Sequence, residues 1–127
     1  MDTYEEGITP NIYQEECLRT EAGMNQTFGK LMADGYLTED KIRLMNGLMG
    51  LNGEAGECVD ILKKVLFQGH ELDKQHLAEE LGDVLWYVAI SANAIGYPLE
   101  SIMIMNRDKL RKRYPEGFEV ERSVNRV

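Results

Sequence analysis

Apolar residues recur at helical steps on both sides of one break, and no other feature limits the fold of this chain as much. Before the break, Met45, Leu48, Leu51, Ala55, Cys58, Leu62 and Val65 follow one another at intervals of three and four. After it, Leu77, Leu81, Val84, Leu85, Val88 and Ala92 share one helical face. The break at Gly69-His70-Glu71 is too short for another element, so the second helix is expected to fold back against the first. Both helices carry acids in unusual places. Glu54 and Glu57 share a line with Gly50 and Ile61, beside the apolar stripe rather than opposite it, where a solvated acid normally goes. Glu80 falls inside the apolar face of the second helix, and Asp83 shares a line with Glu80, Tyr87 and Ile90. Residues three apart on a helix point the same way, so two acid pairs are expected to converge across the hairpin.

The rest of the chain fits around these two helices. At 127 residues it is read as one domain, 1–127, long enough to bury roughly two-thirds of its unfolded surface in a single core. Residues 1–9 are acidic and aperiodic and are expected to be an irregular lead-in. A first helix is expected from Asn11 to about Leu31, with Gly23 and Gly29 as weak points, followed by a turn at Asp34-Gly35. Thr38, with Glu39 and Asp40 after it, begins the second helix, which runs to about Phe67. Asp73 caps the third, which runs to about Ile95, and Pro98 opens the fourth, which runs to Arg113. The polar tail 119–127 is expected to be loose or to lie on a partner subunit. Four helices with short loops predict an all-α, antiparallel four-helix bundle-like domain.

Charge and cysteine content exclude several functions. The net charge is −8 and no block of Lys and Arg dominates, so the footprint of a nucleic-acid binder is missing. Cys17 and Cys58 belong to no CxxC or Cys/His cluster, and are read as buried free thiols rather than zinc ligands or a disulfide. No apolar run reaches the length of a membrane span, and the first residues lack the features of a secretion signal, which points to a cytoplasmic protein without a membrane partner.

Four converging carboxylates repel one another unless a hard divalent cation or strong hydrogen bonds hold them. Magnesium keeps water and phosphate oxygens among its ligands, so these acids, with a polar and basic stripe of Asn106, Lys109 and Arg113 on the fourth helix, suit a nucleoside triphosphate. The runs Gly53-Glu54-Ala55-Gly56-Glu57, Glu79-Glu80-Leu81-Gly82-Asp83, Asn106-Arg107-Asp108-Lys109-Leu110 and Arg113-Tyr114-Pro115 together resemble the MazG-like all-α nucleoside triphosphate pyrophosphohydrolases over about residues 45 to 118. The resemblance implies Mg2+-dependent conversion of a (d)NTP to the (d)NMP and pyrophosphate, with Mn2+ as a substitute ion, in a homodimer or homotetramer with sites at subunit contacts. It assigns Glu54, Glu57, Glu80 and Asp83 as metal ligands and catalytic acids, and Asn106, Lys109 and Arg113 as substrate contacts. It also gives the first helix, with Tyr13-Gln14 and Arg19-Thr20, a part in shaping the base pocket.

Plainer readings stand beside these. ExxE pairs are common on solvated helices, and the contrasting hypothesis is a non-catalytic helical module that binds nucleotide or metal, or dimerises through a bundle face. Asp60, three residues after Glu57, either extends the acid cluster or is solvated, and Lys63 and Lys64 complement the helix dipole. Trp86 and Tyr87 are read as core or interface residues, and the absence of Glu-x-x-His pairs disfavours a di-iron bundle.

Overall fold

The computed structural model describes residues 7–21 and 23–125. Its helices are α1 (Pro10–Thr20), α2 (Met24–Leu31), α3 (Glu39–Gln68), α4 (Lys74–Ala94), α5 (Leu99–Arg113) and α6 (Val120–Val124), with no strand among the described residues. The chain is all-α. It separates into two compact units, Met1–Thr38 and Glu39–Val127.

In the first unit, Thr9 caps α1 by accepting the Ile12 N–H at 3.3 Å, with Pro10 just inside the helix. The lead-in expected over 1–9 is described only from Gly7, and those three residues are not helical. The single helix expected over 11–31 is two. Glu21 turns to extended backbone, and Gly23, read as a weak point, becomes the N-cap of α2 instead of continuing α1. Gly35 then adopts φ 75° in the turn anticipated at Asp34-Gly35.

The second unit is built on the α3–α4 hairpin. Glu39 and Asp40 occupy the first turn of α3, which runs 30 residues, or about 45 Å, to Gln68. Gly69 enters the left-handed region at φ 72°, and the His70 N–H returns to the Lys64 carbonyl at 3.2 Å, so one carbonyl of the helix end is satisfied. Asp73 then caps α4 as expected, accepting the His76 N–H at 2.9 Å. The contacts between the arms run in opposite directions along the chain: Arg43 donates to Asn93 at 2.7 Å, Gly47 lies against Ser91, and Gly50 lies against the Tyr87 ring. The pairing is therefore antiparallel.

Two glycines set how closely the arms approach, and this turns the inward face of α3 toward them. Gly47 is buried against Ser91, and Gly50 meets the ring of Tyr87 where any larger residue would overlap it. The inward line is thus Gly47, Gly50, Glu54 and Ile61; of the apolar line expected to form the core, Leu51, Cys58 and Val65 are half-buried beside it, while Met45, Leu48, Ala55 and Leu62 are exposed. Of the two aromatics read as core or interface residues, Tyr87 is half-buried in the hairpin and Trp86 beside it is exposed. Among the described residues the large single core expected from chain length is not formed: Ala92 is the one buried hydrophobic side chain. A hairpin has one contact face, and a helix pair leaves most of its circumference uncovered. Cys17 is exposed and Cys58 half-buried, so only Cys58 approaches the burial expected of both thiols.

Gly96, at φ 76°, ends α4, and Pro98 serves as N-cap of α5 rather than within its first turn. Arg111, Lys112 and Arg113 in the last turn of α5 complement its dipole. The tail is not loose over 120–124. Arg122 pairs with Glu119 at 3.0 Å, and the Ser123 and Asn125 N–H groups return to the Glu119 and Glu121 carbonyls, closing the five-residue α6. So short a helix has no periodicity to read. No single helix among the described residues is long and apolar enough to cross a membrane.

Candidate active site

Glycine spacing on α3 brings the acids together. With Gly47 and Gly50 seated on α4, the next turn of the same inward line is Glu54, facing the stretch of α4 that carries Glu80 and Asp83. Glu54, Glu80 and Asp83 each place a carboxylate oxygen within 4.8 Å of the others. Glu57, one turn further along α3, does not join this tight set, and its side chain is exposed. It is still near enough for its charge to act on Glu54.

The Glu54 carboxyl is held above its ordinary value of 4.5, first by desolvation, then by a hydrogen bond with Glu80, then by the negative charges of Asp83, Glu80 and Glu57. Carboxylates crowded in this way repel one another, and a bound cation would offset that repulsion. A donor set made only of carboxylate oxygens suits a hard, oxygen-preferring cation such as Mg2+ or Mn2+. These three residues fit such an ion.

Asp60 is not part of the set. It accepts from Lys64 at 2.6 Å and Lys63 at 3.3 Å, which draws its carboxyl below the ordinary 3.8 and raises the Lys64 ammonium. Of the three substrate contacts expected on α5, Lys109 and Arg113 line a surface pocket of about 580 Å³ with Lys112, Arg122, Asn125 and two acids, Glu119 and Glu121. Asn106 does not line it, and none of Glu54, Glu57, Glu80 or Asp83 does either. Acids and cations thus occupy separate places in one chain.

His76 was passed over in the sequence because it belongs to no Glu-x-x-His pair. Its Nε2 lies 3.0 Å from Glu80 Oε1, one turn away on α4, a partnership that the spacing His76 to Glu80 would have allowed. Lys112 and Arg122 were missed for a different reason: the pocket they help to line depends on α6, which has no sequence signal.

Comparison with known proteins decides the family. Residues 44–118 match the family model of the MazG nucleotide pyrophosphohydrolase domain, which is more than half of the chain and contains the whole acid set. The chain belongs to the MazG family. The chain is also similar to the Gene 37 protein of Mycobacterium phage L5, 40% identical over 73 residues, covering 54% of this chain and 64% of that protein. Another relative is the uncharacterized protein YvdC of Bacillus subtilis (strain 168), 46% identical over 41 residues, covering 32% of this chain and 39% of that one. The chain thus spans less than two thirds of the length of each of these relatives. No solved structure matches it. Within the MazG region lie both arms of the hairpin from Leu44 onward and all of α5.

Proposed function

We propose that this MazG-family chain is a Mg2+-dependent nucleoside triphosphate pyrophosphohydrolase, converting a (d)NTP to the (d)NMP and pyrophosphate. The observation that carries this reading is the convergence of Glu54, Glu80 and Asp83 across the hairpin, within a family of nucleotide pyrophosphohydrolases. Glu54, Glu80 and Asp83 hold the cation, with Mn2+ able to substitute, and Glu57 adds the fourth carboxylate. When bound, the ion neutralises phosphate charge and stabilises the leaving pyrophosphate. Glu57, set apart from the other three, orients a water molecule and takes its proton as the water oxygen attacks the α-phosphorus. The bond from that phosphorus to the bridging oxygen breaks, and pyrophosphate departs with the electron pair. Asn106, Lys109 and Arg113 contact the substrate, the two cations by pairing with phosphate oxygens.

The reading includes assembly as a homodimer or homotetramer. Leu62, Leu66, Phe67, Leu85 and Trp86 are exposed, Phe67 at 80%, and leave the hairpin with more apolar surface than a monomer usually shows to water. A second copy covering that surface also offers a way to bring the cations of one chain near the acids of another. It further treats 1–127 as one cytoplasmic domain working without nucleic acid or membrane. The test is pyrophosphate release from a panel of ribo- and deoxyribonucleoside triphosphates with and without Mg2+, beside light scattering at micromolar concentration. Release that requires Mg2+, from an oligomer, is expected. A chain that hydrolyses none of the panel is a binding module instead, and a monomer removes the assembly.

A further inference from the structure

We infer that His76 is a positioning residue for Glu80, fixing one carboxylate oxygen so that the other is presented to the cation. This rests on the metal-site reading above and adds a group that the acids alone do not supply. The His76 ring lies on the same face of α4 as Glu80, one turn before it, with Nε2 3.0 Å from Oε1. A carboxylate oxygen accepts in such a pair and the ring donates from Nε2, as both the Nε2–H tautomer and the imidazolium can. The two partners differ in exposure: the Glu80 side chain is 18% exposed and the His76 side chain 53%. The ring therefore closes the outer side of a carboxylate that is otherwise mostly enclosed by the hairpin.

The backbone beneath the ring is held as well. Asp73 accepts the His76 N–H at 2.9 Å, so His76 sits in a capped first turn rather than a fraying helix end. A carboxylate with one oxygen engaged loses rotation about its terminal torsion, and the set then needs less ordering when a cation binds. Hydrogen bonds to ligand groups of this kind typically change metal affinity by about 10–100-fold when removed.

One residue earlier on α4 the same spacing recurs as a built-in control. Gln75 Nε2 donates to Glu79 Oε1 at 3.3 Å, also four residues apart, but Glu79 is exposed and outside the converging set. If the i,i+4 bond acted only by stiffening α4, both pairs would matter alike.

The experiment is titration of the 127-residue chain with Mn2+ alone, followed by loss of the free-ion EPR signal, for wild type and for His76→Ala, His76→Gln, Gln75→Ala and Glu80→Gln, each with a thermal melt. Glu80→Gln is expected to weaken Mn2+ strongly. His76→Ala is expected to weaken it about tenfold or more. His76→Gln, whose amide also reaches four residues along a helix as a donor, should recover much of the loss, and Gln75→Ala should bind as wild type does. Wild-type affinity in His76→Ala while Glu80→Gln is impaired overturns the positioning role and leaves the metal site standing. So does an equal loss in Gln75→Ala. If wild type binds no Mn2+, or if Glu80→Gln binds as well as wild type, the metal-site reading and this one fall together.

Discussion

Gly50→Ala and Gly56→Ala make the same covalent change on the same helix, and the structure gives them opposite signs. A glycine inside a helix costs about 1 kcal/mol relative to alanine, so each substitution begins with a gain of that size. At Gly56 a Cβ meets nothing within 4 Å, and the whole gain should appear. At Gly50 the Cβ would overlap three atoms of the Tyr87 ring, and overpacking of this kind costs about 1–3 kcal/mol. The ring lies against Gly50, one turn from Glu54, and has to shift for a Cβ to fit. Gly50→Ala should therefore lie about 1–3 kcal/mol below Gly56→Ala. For a domain of this size that is a melting difference of at least about 4 °C. The unfolded-state effect of Gly→Ala is common to both and cancels in the comparison. Spreading the arms at Gly50 should also weaken the acid set. The assay is a thermal melt by circular dichroism at matched concentrations with Mn2+ titration alongside, and a cycle with Tyr87→Ala should return the stability gain to Gly50→Ala. A Gly50→Ala protein that melts at or above Gly56→Ala would refute the close-packed hairpin. A Gly56→Ala protein that melts below wild type would mean that the open surface beside Gly56 is covered by another copy.

The acids themselves should separate activity from stability. Asp83→Asn and Glu54→Gln are expected to lose nearly all Mg2+-dependent pyrophosphate release while the metal-free protein melts no lower than wild type, since each removes repulsion; a lower melt would indicate a structural ion pair instead. Two carboxyls should bend the stability–pH curve in opposite directions. Glu54, raised in the folded chain, contributes stability that is complete below its unfolded value and fades as pH rises through the raised one, so Glu54→Gln should flatten that side of the metal-free curve. Asp60, lowered by Lys64 and Lys63, contributes stability that is present above 3.8 and fades as pH falls through its folded value, so Asp60→Asn should flatten the acid limb. Calorimetry in buffers of different ionisation enthalpy should show proton release when Mg2+ binds, growing as pH falls, because the Glu54 carboxyl is raised; heats independent of buffer would count against that.

The hairpin was legible in the sequence because period, breaker and cap agreed. The apolar steps gave the two arms, Gly69 the turn, and Asp73 the start of α4, each within a residue or two of its place. The acids stood out because they lie beside apolar stripes. The inward face of α3 was legible only in part: Leu51, Cys58 and Val65 of the apolar line are half-buried, but Gly47 and Gly50 take the closest approach and leave Leu48 and Leu62 exposed, which only the partner helix decides. The divided first helix escaped because Gly23 was weighed as a cost within one helix rather than as the cap of another. The His76–Glu80 bond has no signal of its own because i,i+4 spacing is common on any helix, and α6 has none because five residues held by local carbonyl bonds carry no pattern.

Placing the acids midway along the arms also has a kinetic side. If the hairpin zips from Gly69 outward, the Ile61 and His76 turns close first, Glu54 then meets Glu80 and Asp83, and the seats of Tyr87 on Gly50 and Ser91 on Gly47 come last. The charge is thus gathered before the tightest packing is available to offset it. Helix pairs dominated by near-neighbour contacts ordinarily fold in microseconds to milliseconds, and here repulsion at the halfway point acts as a brake. A divalent cation, or a proton on Glu54, releases that brake. Stopped-flow or temperature-jump refolding should therefore accelerate with Mg2+ in wild type and lose that acceleration in Glu54→Gln, whereas an equal effect of Mg2+ on both would place the acids' meeting after the rate-limiting step.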